Sequence, residues 1–258
     1  MPVYDNPVPV AEGHAGNDRP EYFLSDAHFG AHDRQTERMK IDRFVSFLAH
    51  PDRAGATVWF LGDLFDFWLE YRRVIPRVSI RVLAAIQSFV ESGGEFHLLL
   101  GNHDYWVRDF FTAELGVILH QRDVTIERDG KKLLLTHGDG KAPSDGGYRI
   151  LKNILRFRPG IWLYRHLPVD WAFALASSTS HSSRRLTGGR TDKFEAEYRR
   201  YAEQVLKTGT HAILFGHLHR AFAVQIGDGW YINCGDWFKE FSYVLRKGTS
   251  FSLHYWQG

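Results

Sequence analysis

Cysteine is nearly absent: Cys234 stands alone among 258 residues, which excludes an internal disulfide framework and fits a reducing compartment. Long apolar runs are missing too, and no stretch approaches the ~20 residues that span a bilayer. Met1 to Pro20 lacks a basic start followed by an apolar run, so it does not read as a signal peptide. Its Pro, Gly and polar residues predict a flexible tail over 1–20. These absences point to a cytoplasmic protein, with peripheral contact at the inner membrane left open. No charge sign dominates either. The net charge is +2, yet between Lys141 and Val205 twelve Lys/Arg face six Asp/Glu, a local +6 that leaves the remainder at about −4. That segment is expected to face something anionic.

What is plentiful is aromatic: 8 Trp, 11 Tyr and 19 Phe, more than a core alone explains. Apolar stretches alternate with helical periodicity early in the chain. Tyr22–Leu24 predicts a strand ending at Ser25-Asp26, and Arg34 to His50 a helix with Ile41, Phe44, Val45 and Leu48 on one face. Thr57–Leu61 predicts a strand running into Gly62-Asp63. Val74 to Val90 predicts a helix stopped by Gly93-Gly94, and Phe96–Leu100 a strand running into Gly101-Asn102. Such alternation argues parallel pairing with right-handed crossovers.

Later the pattern turns to hairpins. Val124–Glu127 and Lys132–Thr136 flank Asp129-Gly130, a strong hairpin signal. Ile213–Phe215 predicts a strand before Gly216. Ala221–Ile226 and Trp230–Asn233 flank Gly227-Asp-Gly229, and Val244–Arg246 and Phe251–His254 close the chain. The expectation is a mixed α/β fold with two sheets and helices outside. Gly146 to Thr208 carries helix-like segments without strand signals and reads as an inserted cap. The expected organisation is a tail at 1–20, a core at 21–145 and 209–258, and a helical cap at 146–208.

Five polar blocks follow or adjoin predicted strands: Asp26-Ala-His28, Gly62-Asp63, Gly101-Asn-His-Asp104, Thr136-His-Gly138 and Gly216-His-Leu-His219. Carboxyl ends of strands converge on one crevice in such sheets. The residues delivered there are carboxylates, imidazoles and an amide, donors suited to Mn, Zn, Fe or Mg. Seven ligands are too many for one tetrahedral site and suit two ions that share a carboxylate. Two ions ~3.5–4 Å apart clamp both oxygens of an in-line phosphoryl displacement, and a water bridging them becomes a hydroxide nucleophile near neutral pH.

The ordered blocks D-x-H, G-D, G-N-H-[DE], H and G-H-x-H resemble those of the calcineurin-like metallophosphoesterase family, and they span Asp26 to His219. The resemblance implies a four-layer α-β-β-α sandwich. It implies one metal on Asp26, His28, Asp63 and His219, and a second on Asp63, Asn102, His137 and His217. His103 is then the group that stabilises the transition state or protonates the leaving oxygen, with Asp104 orienting it.

The flanks Phe23-Leu-Ser-Asp-Ala-His-Phe-Gly30, Gly62-Asp-Leu-Phe-Asp-Phe-Trp68 and His137-Gly-Asp-Gly140 are similar to those of the UDP-2,3-diacylglucosamine pyrophosphatases. That group acts in lipid A synthesis, releases UMP and a diacylglucosamine 1-phosphate, usually takes manganese, and carries a helical insertion where this chain has its expected cap. Some of its members have Arg at the position of His103.

Substrate contacts are expected from Asn102, Arg184, Arg185, Arg190, Lys193 and Trp68, since guanidinium pairs with phosphate oxygens. The cap interleaves bases and aromatics at Arg156-Phe157-Arg158, Trp162, Tyr164-Arg165, Trp171 and Phe173. That pattern fits a helix packed on the core, and equally a lid over acyl chains resting on an anionic membrane. Asp66, Asp139 and Asp236 either orient ligand histidines or cap turns. Nine other histidines, among them His32, His97, His166 and His181, match no block and read as ordinary. The expected partner is a nucleotide-lipid substrate, and nucleic acid is not expected. The alternatives are a phosphodiesterase or nuclease with the same chemistry, and a scaffold that kept the fold without catalysis.

Overall fold

The computed structural model describes residues 10–11, 19–71, 74–104, 106–145, 171 and 191–258. Its strands are β1 (Val10–Ala11), β2 (Glu21–Leu24), β3 (Thr57–Leu61), β4 (Glu95–Leu99), β5 (Ile118–His120), β6 (Val124–Arg128), β7 (Lys131–Thr136), β8 (Ala212–Phe215), β9 (Ala221–Ile226), β10 (Gly229–Cys234), β11 (Ser242–Lys247) and β12 (Ser250–Tyr255). Its α-helices, among the described residues, are α1 (Arg34–Ala49), α2 (Ile80–Glu91), α3 (Phe110–Leu115) and α4 (Thr191–Leu206).

The strands form two six-stranded sheets, ordered β12-β11-β2-β3-β4-β5 and β1-β6-β7-β8-β10-β9. In the first, β2 to β5 run parallel, as the helix-separated strands require, and the hairpin β11-β12 joins antiparallel to β2. In the second, β8 lies parallel to both β7 and β10, while the hairpins β6-β7 and β9-β10 are antiparallel. The β6-β7 turn places Asp129 at φ 51 and Gly130 at φ 69, the paired left-handed positions that Asp-Gly favours.

Period-two alternation then builds the layers. Phe23, Trp59, Leu61 and Leu99 face Leu133, Leu135, Leu214 and Ile232 between the sheets. Their neighbours Tyr22, Leu24, Val58, Phe60, Phe96 and Leu98 face outward to a core with Phe44 and Phe47 of α1, Ile86 of α2 and Phe111 of α3. On the far side Leu134, Ile213, Phe215 and Tyr231 pack against Tyr198 and Ala202 of α4. Strands apolar on both faces must be covered on both, so the fold is an α-β-β-α sandwich.

Some boundaries differ from the sequence expectation. Helix α2 starts at Ile80 rather than Val74, because Pro76 disfavours helical backbone at Ile75 and a 3-10 turn, Arg77–Ser79, intervenes. Val10 and Ala11, inside the expected tail, pair parallel with Thr125 and Ile126 and cover the free edge of β6. Helix α4, inside the expected cap, forms the outer layer of the second sheet. Residues 146–190 of the cap, apart from Trp171, lie outside the described residues. Helix α3 and strand β5, six and three residues long, are too short to show a period and were not expected.

Candidate metal centre

Every expected ligand follows the carboxyl end of a strand: Asp26 and His28 after β2, Asp63 after β3, Asn102 after β4, His137 after β7, His217 and His219 after β8. The backbone must reverse there within one or two residues. Five of the seven do so in left-handed conformation: Asp26 (φ 54), His28 (φ 45), Asp63 (φ 57), His217 (φ 67) and His219 (φ 51). Each costs ~1 kcal/mol or more for a residue with a Cβ, so surrounding bonds must hold it. They do. Asp26 N–H donates to Gly62 O (3.0 Å) and His28 N–H to Asp63 O (2.9 Å). His217 N–H donates to Asp26 Oδ2 (2.7 Å), and Asn233 Nδ2 to Gly216 O (2.6 Å).

Six of the expected ligands meet in two groups, each with donor atoms within 4.8 Å of one another, Asp26, His28 and His219, and Asp63, His137 and His217, and His103 joins His28 and Asp63 in a third. Asp63 links them, its Oδ2 lying 3.7 Å from His28 Nε2 and 3.4 Å from His137 Nε2. Asn102 Oδ1 lies 2.9 Å from His137 Nε2. Asp26, His28, Asp63 and His137 are buried, whereas Asn102, His103 and His219 are partly exposed, so the centre opens on their side.

This donor set fits divalent metal. Asp26 Oδ1 is buried without a hydrogen-bond partner, although His219 Nε2 lies 3.1 Å away. A buried carboxylate oxygen left in that state is costly unless a cation is its partner. Glycine makes room for the ligands: a Cβ on Gly216 would come within 2.6 Å of Asp26 Oδ2.

Electrostatics divide the imidazoles. Burial pushes His28 and His217 down to about 4, leaving them neutral and ready to ligate. Burial also opposes charge on His137 and His219, but Asp63 carries His137 up to about 10 and Asp26 raises His219. Burial works against the Asp26 and Asp63 carboxylates, and the facing histidines outweigh it, holding both below the usual range. His137 is therefore protonated near pH 7 until a metal takes its lone pair. Metal uptake by metal-free protein at pH 7 is expected to release protons, and affinity to rise with pH towards 10. Calorimetric titration in two buffers of different ionisation heat measures this; identical heats would contradict it.

His103 lies against this centre. Its Nδ1 is 2.6 Å from the Asp66 carbonyl oxygen, so Nδ1–H donates there, and Nε2 points to the Asp63 Oδ2 side at 4.0 Å. Asp104 does not orient it, contrary to expectation. The buried Asp104 carboxylate accepts backbone N–H groups of Leu64 (3.2 Å), Phe65 (3.4 Å) and Gly101 (3.4 Å), tying two ligand loops together. Burial, then Asp63, pushes it up to about 7.

Trp68 is likewise no substrate contact. It is 1% exposed and packed among Phe65, Phe110 and Phe111, because its loop folds back over the outer core. Arg184, Arg185 and Arg190 lie outside the described residues, and Lys193 stands in the first turn of α4. Asp236 caps a turn, its Oδ1 accepting N–H groups of Phe238, Lys239 and Glu240. His97 stacks on Trp59 with ring centroids 3.8 Å apart, and Cys234 is buried in the inter-sheet core.

Lys40 and Glu37 escaped sequence reading. Both are buried on α1, and Lys40 Nζ reaches the His28 carbonyl. Their signal was present: charges at 37 and 40 share the helical face of Ile41 and Phe44.

Residues 22–221 match the calcineurin-like phosphoesterase family. The chain belongs to that family. It is thus a hydrolase of a class that works with divalent metals. It is 32% identical over 256 residues to a UDP-2,3-diacylglucosamine hydrolase of Porphyromonas gingivalis, covering 90% of this chain and 95% of the relative. It is 30% identical to a protein of the same name from Pseudomonas fluorescens, covering 84% and 87%. No helix among the described residues is long and apolar enough to cross a membrane.

Proposed function

We propose that this hydrolase cleaves the pyrophosphate of UDP-2,3-diacylglucosamine to UMP and 2,3-diacylglucosamine 1-phosphate, in lipid A synthesis. The observation that carries the chemistry is Asp63 Oδ2, which faces both donor groups at 3.7 and 3.4 Å. The substrate reading rests on the relatives of that name, which match the chain over most of their length. Asp26, His28, Asp63 and His219 hold one divalent ion, and Asp63, Asn102, His137 and His217 hold the other. Manganese suits these oxygen and nitrogen donors. Such ions would supply charge neutralisation for the phosphates and Lewis acidity towards water.

The chain's own groups do the rest. His137 gives Nδ1–H to Leu61 O at 2.8 Å, which turns its Nε2 into the centre. His103, held by the Asp66 carbonyl, presents Nε2 to the leaving oxygen and supplies its proton. Asn102 touches substrate from the open side. Arg184, Arg185, Arg190 and Lys193 meet its phosphates, and the cap covers the acyl chains against an anionic inner membrane surface.

UMP release from the lipid substrate, measured beside hydrolysis of an aryl phosphodiester, tests this reading. Strong preference for the lipid is expected; the reverse preference would replace it with a general phosphodiesterase. His103→Ala is expected to keep its metal by elemental analysis and to lose about a hundredfold in kcat. Loss of metal from that variant would instead make His103 a ligand.

A further inference from the structure

A lysine with no exposed surface is a rare feature, and Lys40 is 0% exposed. Its ammonium is 2.7 Å from Glu37 Oε1, 3.1 Å from His32 Nδ1 and 2.9 Å from the His28 carbonyl oxygen, and it lies over the Phe29 ring. Glu37 Oε1 also accepts the His32 N–H at 3.0 Å. The first turns of α1 thereby grip the loop 28–32 at both ends.

What that grip acts on is unusual among the ligands. Ligand histidines are normally oriented by a hydrogen bond from the ring nitrogen that faces away from the metal. His137 follows this rule through Leu61 O. His28 does not: its Nδ1 is buried with no hydrogen-bond partner, and its backbone stands at φ 45. The ring is flanked by His103, His219 and Phe238, and the anchoring that an Nδ1 hydrogen bond would give falls to its backbone, held at the N–H by Asp63 O and at the carbonyl by Lys40.

The geometry points to Lys40 as a positioning residue that aims His28, and hence governs the ion held by Asp26, His28 and His219 without touching the one held by Asn102, His137 and His217. This inference rests on the two-ion reading above. It gives α1, an outer helix, a part in assembling one half of the centre. Glu37 Oε1 accepts from the ammonium, a bond that the amide oxygen of Gln can also make.

The test is metal titration of metal-free protein with manganese, comparing wild type, Glu37→Gln, and Glu37→Gln with Lys40→Met. The double variant removes both buried charges together, which avoids stranding one of them. Glu37→Leu with Lys40→Met makes the same comparison where residual polarity hinders folding. Circular dichroism checks the fold of each. Wild type and Glu37→Gln are expected to bind two ions alike. The double variant is expected to bind one ion as wild type does and the other about tenfold more weakly, with turnover restored as manganese is raised. Two unchanged affinities overturn the inference, as do two equally weakened ones or an equal loss in Glu37→Gln alone. A wild type that binds fewer than two ions overturns the two-ion reading itself, and is seen before any variant is compared.

Discussion

Asp63→Ala is expected to lower kcat/KM by about a thousandfold or more, equivalent to ~4 kcal/mol of lost transition-state stabilisation. Asp63 faces both donor groups: its Oδ2 lies near His28 and His137, while Oδ1 accepts the His103 N–H at 2.9 Å. Removing the carboxylate therefore takes a ligand from each ion and loosens the loop that carries His103. Neutralisation alone, as in Asp63→Asn, leaves the loop bond and is expected to cost less. UMP release and metal content, measured on the same preparations, separate the two effects. Substantial turnover by Asp63→Ala would end the claim that one carboxylate serves both ions.

Gly101→Ala is expected to do similar damage from outside the ligand set. A Cβ there would sit 2.5 Å from the Asp63 backbone nitrogen and 2.8 Å from its Cγ. The neighbour is backbone and a ligand carboxylate, neither of which can swing aside, so the Asp63 loop or the Asn102 loop must shift. Overpacking of this kind costs ~1–3 kcal/mol, and a displaced bridging ligand lowers metal affinity as well. Thermal unfolding and metal content report the two losses. A variant with normal metal content and wild-type turnover would show that Asp63 is not pinned as described.

The grouping of the candidate ligands was legible because metal chemistry restricts residue type and their placement follows strand ends. Asp26-Ala-His28 or His217-Leu-His219 alone carries little, but five blocks each behind an apolar run leave one arrangement. The two faces of β2, β3 and β4 were legible for the same reason, since near-continuous apolar runs need cover on both sides. Other parts were hidden by physics that leaves no mark on composition. His103 is held by the carbonyl of Asp66, and every residue has a carbonyl, so the acidic neighbour Asp104 looked the better partner. Trp68 shares a motif with Asp63 yet points into the outer core, which only the path of its loop decides. Lys40 leaves a mark in the sequence as a charge on an apolar helical face, but most lysines on such a face reach solvent with the ammonium, so the mark alone does not signal burial.

The donors also divide by sheet. Asp26, His28, Asp63 and Asn102 extend from strands of one, and His137, His217 and His219 from strands of the other. Chelation by this set would span a seam that Leu61 and Leu99 on one side and Leu135 and Leu214 on the other close by apolar packing, with His137 Nδ1–H to Leu61 O and His217 N–H to Asp26 Oδ2 crossing beside them. A nascent chain that has folded only through β4 carries four of the seven donors and no complete pair of shells. On the two-ion proposal above, the cations would be a late-arriving clasp, engaged when both halves of the polypeptide have mated, and their capture would report that the two sheets have come together.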